Sequence, residues 1–166
     1  MVAGNVVTSS IEGTRPLLIE IQSLVARTNF GLPRRMVSGY DLNRVIIIIA
    51  VLEKRIGIPL DNQDVFINVV GGIKIKETAS DLAIACAIAS ANNGVVCPDK
   101  TVIFGEVGLA GEVRTVSQIR ERLTEAEKLG FKKAIIPKSN LKNLNYKGKI
   151  EIIGVANVHS AIQAIR

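Results

Sequence analysis

Tryptophan is absent, aromatic residues make up only 4% of the chain, and there are one histidine and two cysteines. With so few rings, the core has to be built from aliphatic side chains, and recognition of single-stranded nucleic acid by base stacking is not expected. His159 falls in a C-terminal helical segment with no acid or cysteine partner near it in sequence. A surface or packed histidine is therefore expected there rather than a catalytic one. Cys86 sits in an apolar helical pattern and Cys97 in a loop before Pro98, without the paired spacing of a zinc or redox motif. Both are expected to be plain reduced thiols, and no metal-ligating set is expected. The longest apolar run, Val45 to Leu52, is far short of the roughly 20 residues that span a bilayer. Met1 leads straight into a strand-like segment without a basic leader, so no signal peptide is expected.

What is present is aliphatic and basic. Hydrophobic residues make up 48% of the 166, and the formal net charge is +6. That length and composition predict one domain over residues 1–166, in the α/β (α+β) class, with a real aliphatic core. The charge favours an anionic partner, nucleic acid first, engaged through phosphate contacts by Lys and Arg.

Gly4 to Ser10 and Pro16 to Val25 read as two strands joined by a turn at Gly13. Arg27 to Arg35 reads as a loop carrying three arginines, either a solvated connection or an anion-contacting segment. Asp41 is a candidate cap for a helix over Leu42 to Arg55, stopped at Gly57 and Pro59. That helix is apolar nearly all round, which predicts burial on every side, within the domain or against another subunit. Downstream, Thr101 to Val107 and Glu112 to Val116 read as strands around Gly108–Gly111. A helix capped by Ser117 and closed by Gly130 follows, then strands Lys133–Pro137 and Ile150–Val155 and a last helix from about Asn157.

The stretch Val69-Val70-Gly71-Gly72-Ile73-Lys74-Ile75-Lys76-Glu77-Thr78-Ala79-Ser80-Asp81-Leu82 organises the rest. A strand bends at the glycine pair and resumes with Ile73 and Ile75 inward and Lys74 and Lys76 outward. Thr78 and Asp81 fit a capping box at the start of a helix rich in small residues that ends at Asn92-Asn93-Gly94. Ser80 then lies in the first helical turn. It is a tolerated first-turn serine or a nucleophile in the positive end of a helix dipole, and local sequence favours the former.

Taken in order, Gly4-Asn5-Val6-Val7-Thr8, Leu17-Leu18-Ile19-Glu20, Lys76 to Ser80, Gly105-Glu106-Val107, Gly111-Glu112-Val113 and Ala134-Ile135-Ile136-Pro137 resemble the proteolytic domain of Lon. Gly39-Tyr40-Asp41-Leu42-Asn43-Arg44, Leu52 to Arg55, Ala79 to Ala83, Gly105 to Arg114 and Val116 to Ile119 are similar to the Lon-like C-terminal domain of the bacterial RadA (Sms) proteins. The resemblance implies a Lon proteolytic-domain-like, ribosomal protein S5 domain 2-like fold. It also implies a bacterial cytoplasmic protein in DNA repair, recombination and branch migration, with RecA recombinase as a partner and a hexameric ring as the assembly. Full-length members of that family are DNA-dependent ATPases and helicases. The ATP, magnesium and zinc belong to an ATPase and a zinc finger that this chain lacks, so no cofactor is expected here.

Three functions are then weighed. In a Ser-Lys peptidase, Ser80 occupies the nucleophile position and Arg120 the position of the lysine base. A guanidinium is not deprotonated in proteins, so Arg120 cannot serve as that base, which leaves Lys74 or Lys76 as substitutes. A non-proteolytic ring-forming scaffold offering a basic surface to DNA is the preferred reading, with Lys74, Lys76, Arg114 and Arg120 at its centre and Arg122, Arg34 and Arg35 as additions. A generic RNA-binding module of the S5 fold shares the charge but does not account for the ordered motifs.

Overall fold

The computed structural model describes all residues, Met1 to Arg166. The α/β expectation holds in a mixed, mostly parallel seven-stranded sheet with four α-helices. The hairpin at the start of the chain pairs β1 (Asn5–Glu12) with β2 (Arg15–Arg27), and Val6, Thr8 and Ile19 turn to one face by strand alternation. A loop leads to the short edge strand β3 (Arg35–Ser38), and α1 (Leu42–Val51) follows. Asp41 caps α1 as expected, its carboxylate accepting from the Asn43 N–H. The helix then widens into a π-helical turn over Leu52–Ile56 and ends at Gly57 in the left-handed region. Strand β4 (Gln63–Val69) lies between β3 and β2.

After a single 3₁₀ turn at Thr78–Ser80 comes α2 (Asp81–Asn93), closed by Gly94. Its run of Ala, Ile and Cys is buried throughout, because small residues let it lie flat against the sheet and its neighbouring helices. β5 (Thr101–Ile103) joins the main sheet, while β6 (Glu106–Val107) and β7 (Val113–Arg114) form a separate ribbon. The chain finishes with α3 (Ile119–Lys128), β8 (Lys133–Pro137), β9 (Glu151–Val155) and α4 (Val158–Ala164). The sheet order is β3-β4-β2-β1-β5-β8-β9.

Helices α1, α2 and α4 cover one face through a core of 32 buried side chains, whereas α3 covers part of the other through nine. Burial pushes the Cys86 thiol up and the Cys97 thiol to about 11, so both are protonated near neutral pH. No helix is long and apolar enough to cross a membrane.

Four local expectations are corrected. No strand resumes after Gly72: residues 73–77 are coil, although Ile75 is buried and Lys74 and Lys76 are exposed as the alternation predicts. Thr78 and Asp81 form no capping box, since Thr78 donates to Glu106 and the Asp81 carboxylate is claimed by other donors. Ser117 does not cap α3. Gln118 takes the cap position with φ 54° and without a side-chain hydrogen bond. Finally, of the two ways expected to bury α1, the domain alone does not achieve it, because Leu42, Ile46 and Ala50 form an exposed stripe at helical spacing.

Candidate nucleic-acid interface beside a sealed serine

Ser80 sits where β5 runs out and α2 begins. Gly105 makes this junction possible: a Cβ there would lie 2.8 Å from Val113 and 3.0 Å from Leu82. Its N–H donates to the Ala79 carbonyl at 2.8 Å, and its own carbonyl accepts from Leu82 at 2.9 Å. The serine hydroxyl is 0% exposed, and its one side-chain partner is Thr8 Oγ1 at 3.4 Å. Thr8 in turn donates to the Ile103 carbonyl at 2.7 Å. Neither lysine nor histidine hydrogen-bonds to Ser80, and the arrangement holds a hydroxyl pair in the core.

The neighbouring Asp81 is also 0% exposed and is the hub of a charged cluster. Its carboxylate accepts from Tyr40 Oη at 2.6 Å, from the Val107 N–H at 3.1 Å, and from the Arg44 guanidinium through both Nε and Nη2. Burial pushes the Asp81 carboxyl up, against the pull of Arg44, Tyr40 and the Val107 amide. Burial and the Asp81 charge together raise the Tyr40 phenol so far that it stays protonated. The bond to Asp81 raises Arg44 further still.

Above this cluster opens a cleft of about 720 Å³, walled by Val37–Asp41 and Arg44 on one side and Lys74–Thr78 on the other. Gly39 brings the walls together. At φ +91° its position would put a Cβ 2.6 Å from the Ile73 carbonyl, and its own carbonyl accepts from Ile75 N–H at 2.8 Å. Lys74 and Lys76 are exposed at the rim, and neither takes part in an ion pair. Arg114 faces Glu106 across the β6–β7 ribbon, and Glu106 holds Thr78 at 2.6 Å, so Arg114 lies at the same junction. Its guanidinium is exposed and paired with Glu112 at 3.0 Å.

The other candidate cations are distributed elsewhere. Arg120 is paired with Glu121 and lines a separate hollow of about 580 Å³ on α3, with Thr124, Lys128 and Lys147. Arg122, expected at the surface, is 0% exposed. It grips both Glu77 carboxylate oxygens at 2.6 and 3.0 Å and donates to the carbonyls of Ser9 and Ser117, which removes it from any contact surface. Arg34 and Arg35 lie at the far end of β3, where Arg34 pairs with Asp64 at 3.1 Å and Arg35 donates to the carbonyls of Leu60 and Gln63. Sequence reasoning missed Arg44, Tyr40 and Glu77. All three lay in motifs already singled out, but their roles depend on partners that are distant in sequence. No group of three or more His, Cys, Asp or Glu side chains could hold a metal ion.

The chain is 50% identical over 162 residues to the DNA repair protein RadA of Halalkalibacterium halodurans, covering 98% of this chain and 35% of that protein. It is 52% identical over 161 residues to the DNA repair protein RadA of Bacillus subtilis, covering 97% and 35%. With the protein of the same name from Listeria monocytogenes it shares 44% identity over 161 residues, at the same coverage. The chain thus spans about a third of the length of the curated relatives it matches. Residues 22–140, well over half the sequence, match the family described as subunit ChlI of Mg-chelatase, and the chain belongs to that family.

Proposed function

We propose that this chain acts as a DNA-contacting domain without peptidase activity within a longer DNA repair protein of the RadA kind, and that it assembles into a homo-oligomeric ring. The observation that carries the reading is the cleft beside Ser80: its rim presents unpaired Lys74 and Lys76 with Arg114 close by, while the serine itself is sealed. A former or never-used nucleophile position, walled off and fringed by free cations, suits phosphate contact better than acyl transfer. Kinship with proteins named for DNA repair points the same way. The ring rests on the exposed Leu42–Ile46–Ala50 stripe of α1, an apolar face that a neighbouring subunit would cover. ATP hydrolysis, magnesium, zinc and contact with RecA belong, in this proposal, to the parts of such proteins outside residues 1–166.

Duplex binding measured by fluorescence anisotropy over a salt series tests the reading. Each phosphate neutralised contributes about 0.9 to the fall of log K per log unit of salt. Lys74→Ala with Arg114→Ala is expected to lower affinity for all sequences alike and to flatten that slope by roughly one unit for each phosphate no longer neutralised. Wild-type affinity and slope in the double variant would overturn the placement. Casein cleavage or phosphonate labelling that disappears in Ser80→Ala would overturn the absence of peptidase activity.

A further inference from the structure

The face of the sheet that α3 leaves bare carries one apolar row beside polar ones. Strand register aligns Leu24 of β2, Phe66 of β4 and Met36 of β3 in one row across three strands. Leu24 is 63% and Met36 56% exposed. The next row pairs Gln22 with Asn68, two side-chain amides joined at 3.4 Å. At the end of this face the loop from β2 to β3 carries Phe30, 93% exposed, and Leu32, 88% exposed.

That loop is held in place. Asp64, itself buried, accepts from Thr28 Oγ1 at 2.9 Å, from the Arg34 N–H at 2.8 Å and from the Arg34 guanidinium at 3.1 Å, while the Thr28 N–H reaches the Asn62 carbonyl at 2.9 Å. A solvent-facing loop has no folding reason to hold two large apolar side chains nearly bare on a pinned backbone. Its surroundings are cationic, since residues 27–35 contain three arginines and no acid. Arg27 is exposed, Arg35 donates only to neutral carbonyls, and the Arg34 guanidinium lies 5.6 Å from the centroid of Phe66.

We propose that this face and loop form a platform for single-stranded nucleic acid, with bases stacking on Phe30, with Leu24, Met36 and the Arg34-covered Phe66 as the floor, and with Arg27 and Arg35 meeting the phosphates. The proposal rests on the DNA-binding reading above but uses a different surface, at the opposite end of β3 from the lysine cleft. Aromatic residues are scarce overall, yet one of the four phenylalanines stands nearly bare on the loop, where stacking needs it. A ring face presented by a strand or loop between arginines is the common arrangement for sequence-tolerant strand binding.

Because the chain has no tryptophan, Phe30→Trp installs a single fluorescent reporter. Addition of oligo(dT) is expected to quench it in step with the anisotropy of the labelled strand. Phe30→Ala should weaken oligo(dT) binding on the order of tenfold, with duplex affinity unchanged. Unquenched tryptophan at saturating oligo(dT), or an unaltered oligo(dT) affinity in Phe30→Ala, would overturn the platform while leaving the duplex site standing. A blue-shifted tryptophan that tracks protein concentration without DNA would instead assign the patch to a second copy of the chain. Failure of the wild type to bind any DNA would overturn both readings.

Discussion

Arg122 is the side chain whose environment departs furthest from what its type suggests. A guanidinium wholly removed from water is stable only because Glu77 and the carbonyls of Ser9 and Ser117 satisfy it. Arg122→Met strands Glu77, and because that carboxylate retains 27% exposure the loss belongs at the low end for a broken buried pair, about 3 kcal/mol. Urea unfolding should show it as a lower midpoint, and Glu77→Gln added to Arg122→Met should recover part. A loss below about 1 kcal/mol would mean the pair contributes little. Asp64 supplies a pH test. The Arg34 amide first, then the Thr28 hydroxyl and the Arg34 guanidinium, hold its carboxyl below the ordinary range, with burial opposing them. A folded-state value below the unfolded one, near 4, gives stabilisation that is complete above about pH 4 and disappears as pH falls through the folded value. Amide protection at Thr28 and Arg34 should therefore drop in acid ahead of the core, and Asp64→Asn should abolish the pH dependence.

At the level of elements, the start of α2 separates two accounts of Thr78. Its hydroxyl donates to Glu106 at 2.6 Å and not to the helix, so Thr78→Ala should destabilise by about 1 kcal/mol. In a double-mutant cycle that effect should couple to Glu106→Ala and not to Asp81→Asn, and coupling to Asp81 would restore the capping box. Elements with a local signal were legible in the sequence: the hairpin around Gly13, the Asp41 cap, the ends of α2 at Gly94 and α3 at Gly130, and the start of the last helix at about Asn157. Those that failed did so where a distant partner displaced a local one. Glu106 took Thr78, and Arg44 with Tyr40 took Asp81, both across separations that periodicity cannot see. Lys74 and Lys76 are exposed as expected because alternation fixes which side of a chain faces out. Arg122 was misplaced because charge alone predicted a surface position, and its acceptors come from three other segments.

For the whole molecule, the Leu42–Ile46–Ala50 stripe and the +6 charge set what the surface does in bulk. Light scattering at micromolar concentration is expected to report a mass well above 17.8 kDa, and Ile46→Asp to reduce it. A reading of 17.8 kDa for the wild type would remove the self-assembled ring. The Asp81 cluster has a consequence at this scale too. One carboxylate is held at once by Tyr40 after β3, by Arg44 on α1 and by the Val107 amide of β6, at the foot of the lysine cleft. Moving the Arg44 side of that cleft would strand a buried carboxylate, and moving the Tyr40 side would cost it a hydrogen bond, so both resist opening. The cavity is a cast mould, and a guest that fits it gives up little of its binding energy to setting the walls.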